Sequence, residues 1–203
     1  MIICDKFIFI HLQKCAGTFV REFLFKIFPN CKRYGSEHSG VRDIPESQRD
    51  KLIIGTIRNP HDWYLSWYSK RKNEQDGLFK NLFACEFKEF LRRCFFTEER
   101  TLHDIEFHKI REQGIGHYTY RYNRCYEAEF KPNLHIIKTE ELREGLIGAP
   151  LLSEEQIKIF DNMERLNSST HGDYSDYYDQ EMLKWVEEKD QLIFERHGYE
   201  VDG

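Results

Sequence analysis

The sequence predicts an α/β fold: a single domain over residues 1–203, with three layers in which helices flank a central, mainly parallel β-sheet. Residues 7–10 and 51–57 are near-continuous apolar runs, as expected for central parallel strands covered on both faces, and residues 133–138 are predicted to form a third, short strand. A helical pattern follows each run. A chain of 203 residues can build one sizeable core and is too short for two comfortable domains.

Charge and composition exclude several classes of function. The net charge is −5, so no global basic field favours nucleic acid, and any anion site must be local. No apolar run approaches ~20 residues, so no transmembrane helix is predicted. The first ten residues, MIICDKFIFI, lack the basic and apolar segments of a cleavable signal.

The cysteines predict structural thiols rather than a metal site. They show no C-x-x-C pair and no metal-ligand spacing. We therefore expect reduced thiols, several of them in the core, in a cytoplasmic protein. The six are Cys4, Cys15, Cys31, Cys85, Cys94 and Cys125.

The first strand leads into a compact loop. The apolar run stops at His11, a turn from Lys14 to Thr18 follows, and a helical pattern covers residues 17–28. Strand, tight turn and helix N-terminus make an anion cradle, because the backbone N–H groups converge at the positive end of the helix dipole. The lysine precedes the small residues, so the loop is not a Walker A sequence. Alone, the pattern equally fits an ordinary turn with an incidental lysine.

The second strand supplies a second cation. Arg58 follows residues 51–57, Asn59 can cap the next helix, and Pro60 suits its first position. Ligands of open parallel sheets collect outside the carboxyl ends of the strands, so Lys14 and Arg58 can face one crevice. Ser66, about two turns into the helix, could turn its hydroxyl to the same anion. Two phosphate-type sites suit a nucleotide phosphorylated at both ends.

The rest of the chain continues the alternation. Residues 31–36 suggest a short strand, and residues 73–116 a looser helical region. Residues 117–130 alternate aromatic and basic side chains, which fits either the lining of a substrate cleft or a half-buried amphipathic element. A capping box from Ser153 to Gln156 opens one helix. A single last helix is predicted with Met182, Val186 and Ile193 on one face.

At this point the chain resembles the sulfotransferases. HLQKCAGTFVR is similar to their 5′-phosphosulfate loop, H-I-P-K-T-G-G-T-S, and IRNPHDWYLSWY to their 3′-phosphate motif, R-[DN]-P-x5-S. The resemblance is strongest to carbohydrate-type and bacterial members, in which a Gly-His-containing segment precedes the second strand, as residues 37–40 do here. HIIKTEEL and RLNSSTHGDYSDYYDQE resemble later family segments, and the similarity is weak between residues 73 and 130. Gln13 replaces the usual proline, and Cys15-Ala16 replaces Thr-Gly.

The resemblance implies a P-loop NTPase-like sulfotransferase fold and transfer of SO3 from 3′-phosphoadenosine-5′-phosphosulfate to a hydroxyl or amine. Like phosphoryl transfer, this in-line displacement depends on positioning and on charge at the leaving oxygen. Lys14 would neutralise that oxygen, and Arg58 and Ser66 would bind the 3′-phosphate. No metal would be required. Backbone N–H groups would hold the 5′-phosphate from Cys15, Ala16, Gly17 and Thr18.

The acceptor, a carbohydrate or small molecule with a hydroxyl, needs a base. His38 is the first candidate because imidazole titrates near neutrality and because the matching family segment carries a histidine. Glu37 is the second, and His11 is expected to orient the loop. The polar loop with Ser168, Ser169 and Thr170 either closes over the nucleotide or caps the last helix.

Two other functions stay open. A P-loop kinase would need an acidic magnesium ligand at a strand end, where the second strand has Thr56-Ile57-Arg58 instead. A nucleotide-binding module without transfer activity would keep the fold and lose turnover. The presence of Lys14 and His38 favours the enzyme.

Overall fold

The computed structural model describes residues 1–72, 84–96, 104–130, 132–149, 152–164 and 171–201, with only the backbone of residues 104–107. It confirms an α/β protein. The strands are β1 (Ile2–Ile3), β2 (Phe7–Ile10), β3 (Lys32–Arg33), β4 (Leu52–Ile57) and β5 (Leu134–Lys138). The helices are α1 (Gly17–Ile27), α2 (Pro60–Lys72), α3 (Phe87–Phe96), α4 (Asp104–Glu112), α5 (His117–Tyr126), α6 (Leu142–Gly148), α7 (Glu154–Asp161), α8 (Gln180–Lys189) and α9 (Gln191–His197).

The chain divides into two compact units. The first comprises Met1–Arg58 and Tyr122–Ser168, and the second comprises Asn59–Arg121 and Ser169–Gly203. The five-stranded sheet lies in the first unit, in the order β3-β1-β2-β4-β5. The predicted runs form β2, β4 and β5, which pair in parallel, while β1 pairs antiparallel with both β2 and β3. The sheet is therefore mixed.

One face of this sheet carries the core of the first unit. The apolar side of α1, with Phe23 and Leu24, packs in one cluster with Phe9 and Ile54 of the adjacent parallel strands. Each such side chain contributes about 1.5–3 kcal/mol when it leaves water. Phe160 of α7 meets the Phe23 ring edge-on at 5.2 Å between centroids. The predicted capping box of α7 is present, with reciprocal Ser153 and Gln156 contacts.

The other face of the sheet is closed by Tyr126, at the end of α5. Its hydroxyl accepts from the Thr56 N–H at 3.0 Å and donates to the Thr56 carbonyl at 3.0 Å. A Cβ on Gly55 would lie 2.5 Å from the Tyr126 ring. Glycine at this position therefore lets the ring lie directly on β4 and hold the end of the strand.

Cys4 and Cys31 form a disulfide, so the prediction that all six cysteines are reduced was wrong. The pair lies 27 residues apart in sequence, without a recognisable motif. Cys4 follows β1 and Cys31 precedes β3, and the antiparallel pairing of these strands sets Ile3 opposite Lys32. The two cysteines are the residues next to that pair, which is information that sequence spacing does not contain.

The second unit is built on aromatic packing among its helices. Trp63 of α2 stacks on Tyr118 of α5 with centroids 4.7 Å apart. Asn59 caps α2 as predicted, since its Oδ1 accepts from the His61 N–H at 2.9 Å. Tyr118 is fully buried here, and Tyr122, in the first unit, is 2% exposed. These two tyrosines are core residues and do not line a cleft.

The predicted single last helix is two helices, α8 and α9, that meet at Asp190. The Asp190 carboxylate is fully buried and accepts from the Tyr64 hydroxyl and the Thr119 N–H, each at 2.7 Å. It thus caps the first turn of α5, which begins after Gly116 and has no capping side chain of its own.

Among the described residues, no helix is long and apolar enough to cross a membrane.

Candidate functional site

The loop between β2 and α1 has an unusual backbone. Lys14 and Ala16 both adopt left-handed conformations, with φ of 63° and 55°. Such angles cost a non-glycine residue roughly 1–2 kcal/mol, so the surrounding contacts must hold the loop in place. The Cys15 N–H donates to the Leu12 carbonyl at 3.3 Å, and the Cys15 side chain is fully buried. The turn is tight, as its small residues predicted.

Two contacts fix this loop to its neighbours. The Thr56 hydroxyl of β4 donates to the Cys15 carbonyl at 2.6 Å. On the other side, the His11 ring lies against Gly17, where any Cβ would overlap the imidazole. His11 is therefore placed to orient the loop, and Thr56 ties the loop to the adjacent strand. The Thr56 contact could not be predicted from the sequence, because a threonine within an apolar run has the pattern of an ordinary strand residue.

The start of α1 is open to an anion. Its N-cap residue is Ala16, which has no side-chain acceptor, and its first turn carries no acidic residue. The first N–H groups of a helix have no partner within the helix, so those of Ala16, Gly17 and Thr18 can bind an external acceptor. The fourth predicted amide, that of Cys15, is already engaged with Leu12.

The structure brings Lys14 and Arg58 together. They follow β2 and β4, which are adjacent parallel strands, and the Arg58 Nη1 donates to the Lys14 carbonyl at 3.4 Å. Both side chains are half-buried. The two predicted cations therefore lie beside the same helix N-terminus. Ser66, on α2 of the second unit, is 1% exposed, and its part in a 3′-phosphate site stays a prediction.

A second cluster surrounds His38, the predicted base. The His38 Nδ1 lies 3.4 Å from the His11 carbonyl, and the two imidazole rings meet edge-on at 5.3 Å between centroids. A carbonyl oxygen only accepts, so in this contact Nδ1 carries the proton. The neutral ring then has its lone pair on Nε2. His38 is exposed, as a residue that meets a substrate must be.

Glu37 is held by two neighbours. Its Oε1 accepts from the Arg21 Nη1 at 2.5 Å and lies 3.3 Å from the His11 Nδ1. Partial burial opposes ionisation of the Glu37 carboxyl, but His11 and Arg21 outweigh it, so its pKa lies below the usual value. A carboxylate so stabilised is a weak base. Of the two predicted candidates, His38 is the better suited to accept a proton.

Burial, followed by the positive charge that His38 can carry, lowers the pKa of His11 to about 4. His11 is therefore neutral at physiological pH.

Arg21 is the residue of this cluster that sequence reasoning missed. It lies one turn into α1, and only its placement after the loop could have indicated a role. Ser168, Ser169 and Thr170, predicted either to close over the nucleotide or to cap the last helix, lie outside the described residues.

Comparison with known proteins adds no relatives. No model of a protein family matches the chain, and a search of curated proteins finds no significant match.

Proposed function

We propose that the chain is a sulfotransferase that moves SO3 from 3′-phosphoadenosine-5′-phosphosulfate to a hydroxyl of a carbohydrate or small molecule. The observation that carries this proposal is the meeting of Lys14 and Arg58 beside the open start of α1. The order of the two motifs along the chain supports it further. A P-loop-like sulfotransferase fold, formed as one domain by residues 1–203, is part of the same proposal.

The residues of the loop fit a nucleotide phosphorylated at both ends. The N–H groups of Ala16, Gly17 and Thr18 would hold the 5′-phosphate, where the helix dipole favours negative charge. Arg58 would bind the 3′-phosphate, with a planar guanidinium suited to two parallel hydrogen bonds. Ser66 is assigned to the same phosphate by resemblance.

Transfer needs charge neutralisation on one side and a proton acceptor on the other. Lys14 would stabilise the negative charge that grows on the bridging oxygen as its bond to sulfur breaks. His38 Nε2 would take the proton of the acceptor hydroxyl while the new oxygen–sulfur bond forms. The sulfuryl group passes between the two oxygens, and the proton ends on His38. These residues need no metal for either role.

The proposal is tested by nucleotide binding. Because Arg58 provides a dedicated contact, 3′-phosphoadenosine-5′-phosphate should bind much more tightly than 5′-AMP in calorimetric titrations. Arg58→Ala should cost ~2–3 kcal/mol of affinity for the first nucleotide, the scale of charge-assisted hydrogen bonds. Arg42→Ala is the matched control, since Arg42 is exposed and donates to the Glu127 carbonyl. Equal affinity for the two nucleotides would contradict the 3′-phosphate site.

The residues at the end of β4 do not support the kinase alternative. β4 ends at Ile57, and the next residue is Arg58, where a magnesium-binding kinase would place a carboxylate. Transfer that requires magnesium would nonetheless favour it. Binding of the nucleotide without turnover on any acceptor would instead favour the binding module.

The predicted cytoplasmic location rested on reduced cysteines, and the Cys4–Cys31 disulfide removes that support.

A further inference from the structure

A cleft opens beside the His38 cluster, at the edge of the sheet away from Arg58. It has a volume of about 180 Å³, and polar groups of His11, Arg21, Arg33 and Glu37 line it. The sheet order explains its place: Arg33 belongs to β3, the edge strand, while Arg58 follows β4 on the other side of β2. All these residues belong to the first unit. We call this cleft the acceptor cleft.

The position of the acceptor cleft matches the needs of in-line displacement. Arg58 follows β4 and donates to the Lys14 carbonyl, whereas the cleft lies towards β1 and β3. His38 follows Glu37, which lines the cleft, and contacts the carbonyl of His11, which lines it too. A group in this cleft would therefore approach from the side of the base, away from Arg58, which is assigned to the nucleotide.

The charges that line the cleft do not cancel. Arg21 and Glu37 form an ion pair, and His11 is neutral at physiological pH. Arg33 adds a positive charge, is exposed, and has its guanidinium 5.6 Å from the centre of the Phe25 ring. Packing on an aromatic ring restricts the guanidinium and leaves its N–H groups in its own plane to donate. The positive charge of Arg33 is therefore not neutralised within this set of residues, and the Phe25 ring restricts the guanidinium that carries it.

The volume of the acceptor cleft and its hydrogen-bonding groups suggest that its ligand is a sugar. A cleft of about 180 Å³ is smaller than the ~300–1,000 Å³ of drug-sized pockets, so it suits a single ring. In the part of the chain that the structure describes, the Arg21 and His11 contacts of Glu37 both go to Oε1. Oε2 can accept from a hydroxyl of the ligand.

We propose that the acceptor cleft binds the substrate that receives the sulfuryl group, and that this substrate is a sugar with an anionic substituent. Arg33 binds the anionic group, and Glu37 Oε2 accepts a hydrogen bond from a ring hydroxyl. A second hydroxyl faces His38. This inference rests on the proposed function and narrows its acceptor from any hydroxyl compound to acidic sugars.

The test compares three probes on the full chain saturated with 3′-phosphoadenosine-5′-phosphate: methyl glucuronide, glucose 6-sulfate and neutral methyl glucoside. Binding is followed by NMR chemical-shift titration. Wild type should bind at least one anionic sugar roughly fivefold to twentyfold more tightly than the neutral one, and high salt should shrink the difference. The probe with the larger gain distinguishes carboxylate from sulfate as the group that Arg33 prefers.

Two variants test whether Arg33 causes the preference for anionic sugars. Arg33→Gln should remove the preference and leave nucleotide affinity unchanged, which also shows that the variant is folded. Lys32→Gln is the matched control: it changes the same charge on the neighbouring residue of β3, whose side chain lies on the opposite face of the sheet. It should keep the preference.

The outcomes separate the two proposals. If wild type binds the nucleotide but does not distinguish the sugars, or if Arg33→Gln retains the preference, the inference is overturned while the proposed function stands. If wild type does not bind the nucleotide, the proposed function is overturned, and the acceptor role of the cleft with it.

Discussion

Replacing Asp190 by asparagine is expected to remove a distinct pH dependence from the free energy of unfolding. Burial raises the pKa of Asp190 to about 6, against an ordinary value of 3.8, even though the Thr119 N–H and the Tyr64 hydroxyl stabilise its charge. The native state therefore binds this proton more tightly than the unfolded state. The stabilising contribution is complete below pH 3.8 and is lost as the pH rises through about 6.

The size of this change in the free energy of unfolding follows from the shift in the pKa of Asp190. A difference of about two pKa units corresponds to about 3 kcal/mol, since one unit is worth about 1.4 kcal/mol. Asparagine keeps the shape: its Oδ1 can accept from the Thr119 N–H, and its amide can donate to the Tyr64 oxygen. It has no proton to exchange in this range.

Urea unfolding at about pH 4, 5, 6 and 7.5 on wild type and Asp190→Asn would measure this difference. Relative to the variant, wild type should lose about 2.5 kcal/mol of the free energy of unfolding between the lowest and the highest pH, because the unfolded carboxyl is already partly ionised at the lowest pH. Taking the difference between the two proteins removes the contribution of the other titrating groups. Parallel pH profiles would show that the native pKa of Asp190 is not raised, and would refute the reasoning from burial.

Two further predictions concern catalysis. Lys14→Ala should lower the saturated rate of transfer more than it weakens nucleotide binding, because the lysine meets charge that develops in the transition state. Lys26→Ala is the control, since Lys26 is exposed in the last turn of α1, the helix that follows the loop. A loss of affinity alone would make Lys14 a binding residue. His38→Ala should lower turnover roughly 10²–10⁴-fold, the usual worth of a positioned base, and leave nucleotide affinity nearly unchanged. A His38 variant that transfers sulfate at the wild-type rate would remove that role.

Local patterns were enough to predict the central strands and several helix starts. The three predicted strands are β2, β4 and β5, and the Asn59 cap and the Ser153 capping box are present. Each of these features depends on neighbours within a few residues, so the sequence contains the information. The approach of Lys14 to Arg58 also followed from a local rule, the position of each residue at the carboxyl end of a strand.

The features that were missed depend on distant partners. β1 is two residues long and exists because Ile2 pairs with Phe9 on one side and Arg33 on the other. The break between α8 and α9 occurs where Asp190 turns inward to cap α5, more than 60 residues earlier in the chain. No window of sequence around Asp190 shows the helix end that it satisfies.

For Tyr118 and Tyr122 the structure favours the second of the two predicted alternatives, an amphipathic element with a buried face. Tyr118 and Tyr122 are buried, because the aromatic spacing that suggested a lined cleft is equally the spacing of a helix face turned towards the core. The ion pair between Arg21 and Glu37 was missed for another reason. It joins residues 16 positions apart whose types, an arginine and a glutamate, occur throughout the sequence.

The contact between His11 and Gly17 has a consequence for how this chain can diverge. The imidazole occupies the space that a side chain at position 17 would need. A relative with alanine or serine at position 17 must therefore carry a smaller residue than histidine at position 11, or hold that residue in another rotamer. The two positions should vary together, so that a glycine in one sequence accompanies a bulky strand-end residue and a larger residue accompanies a small one.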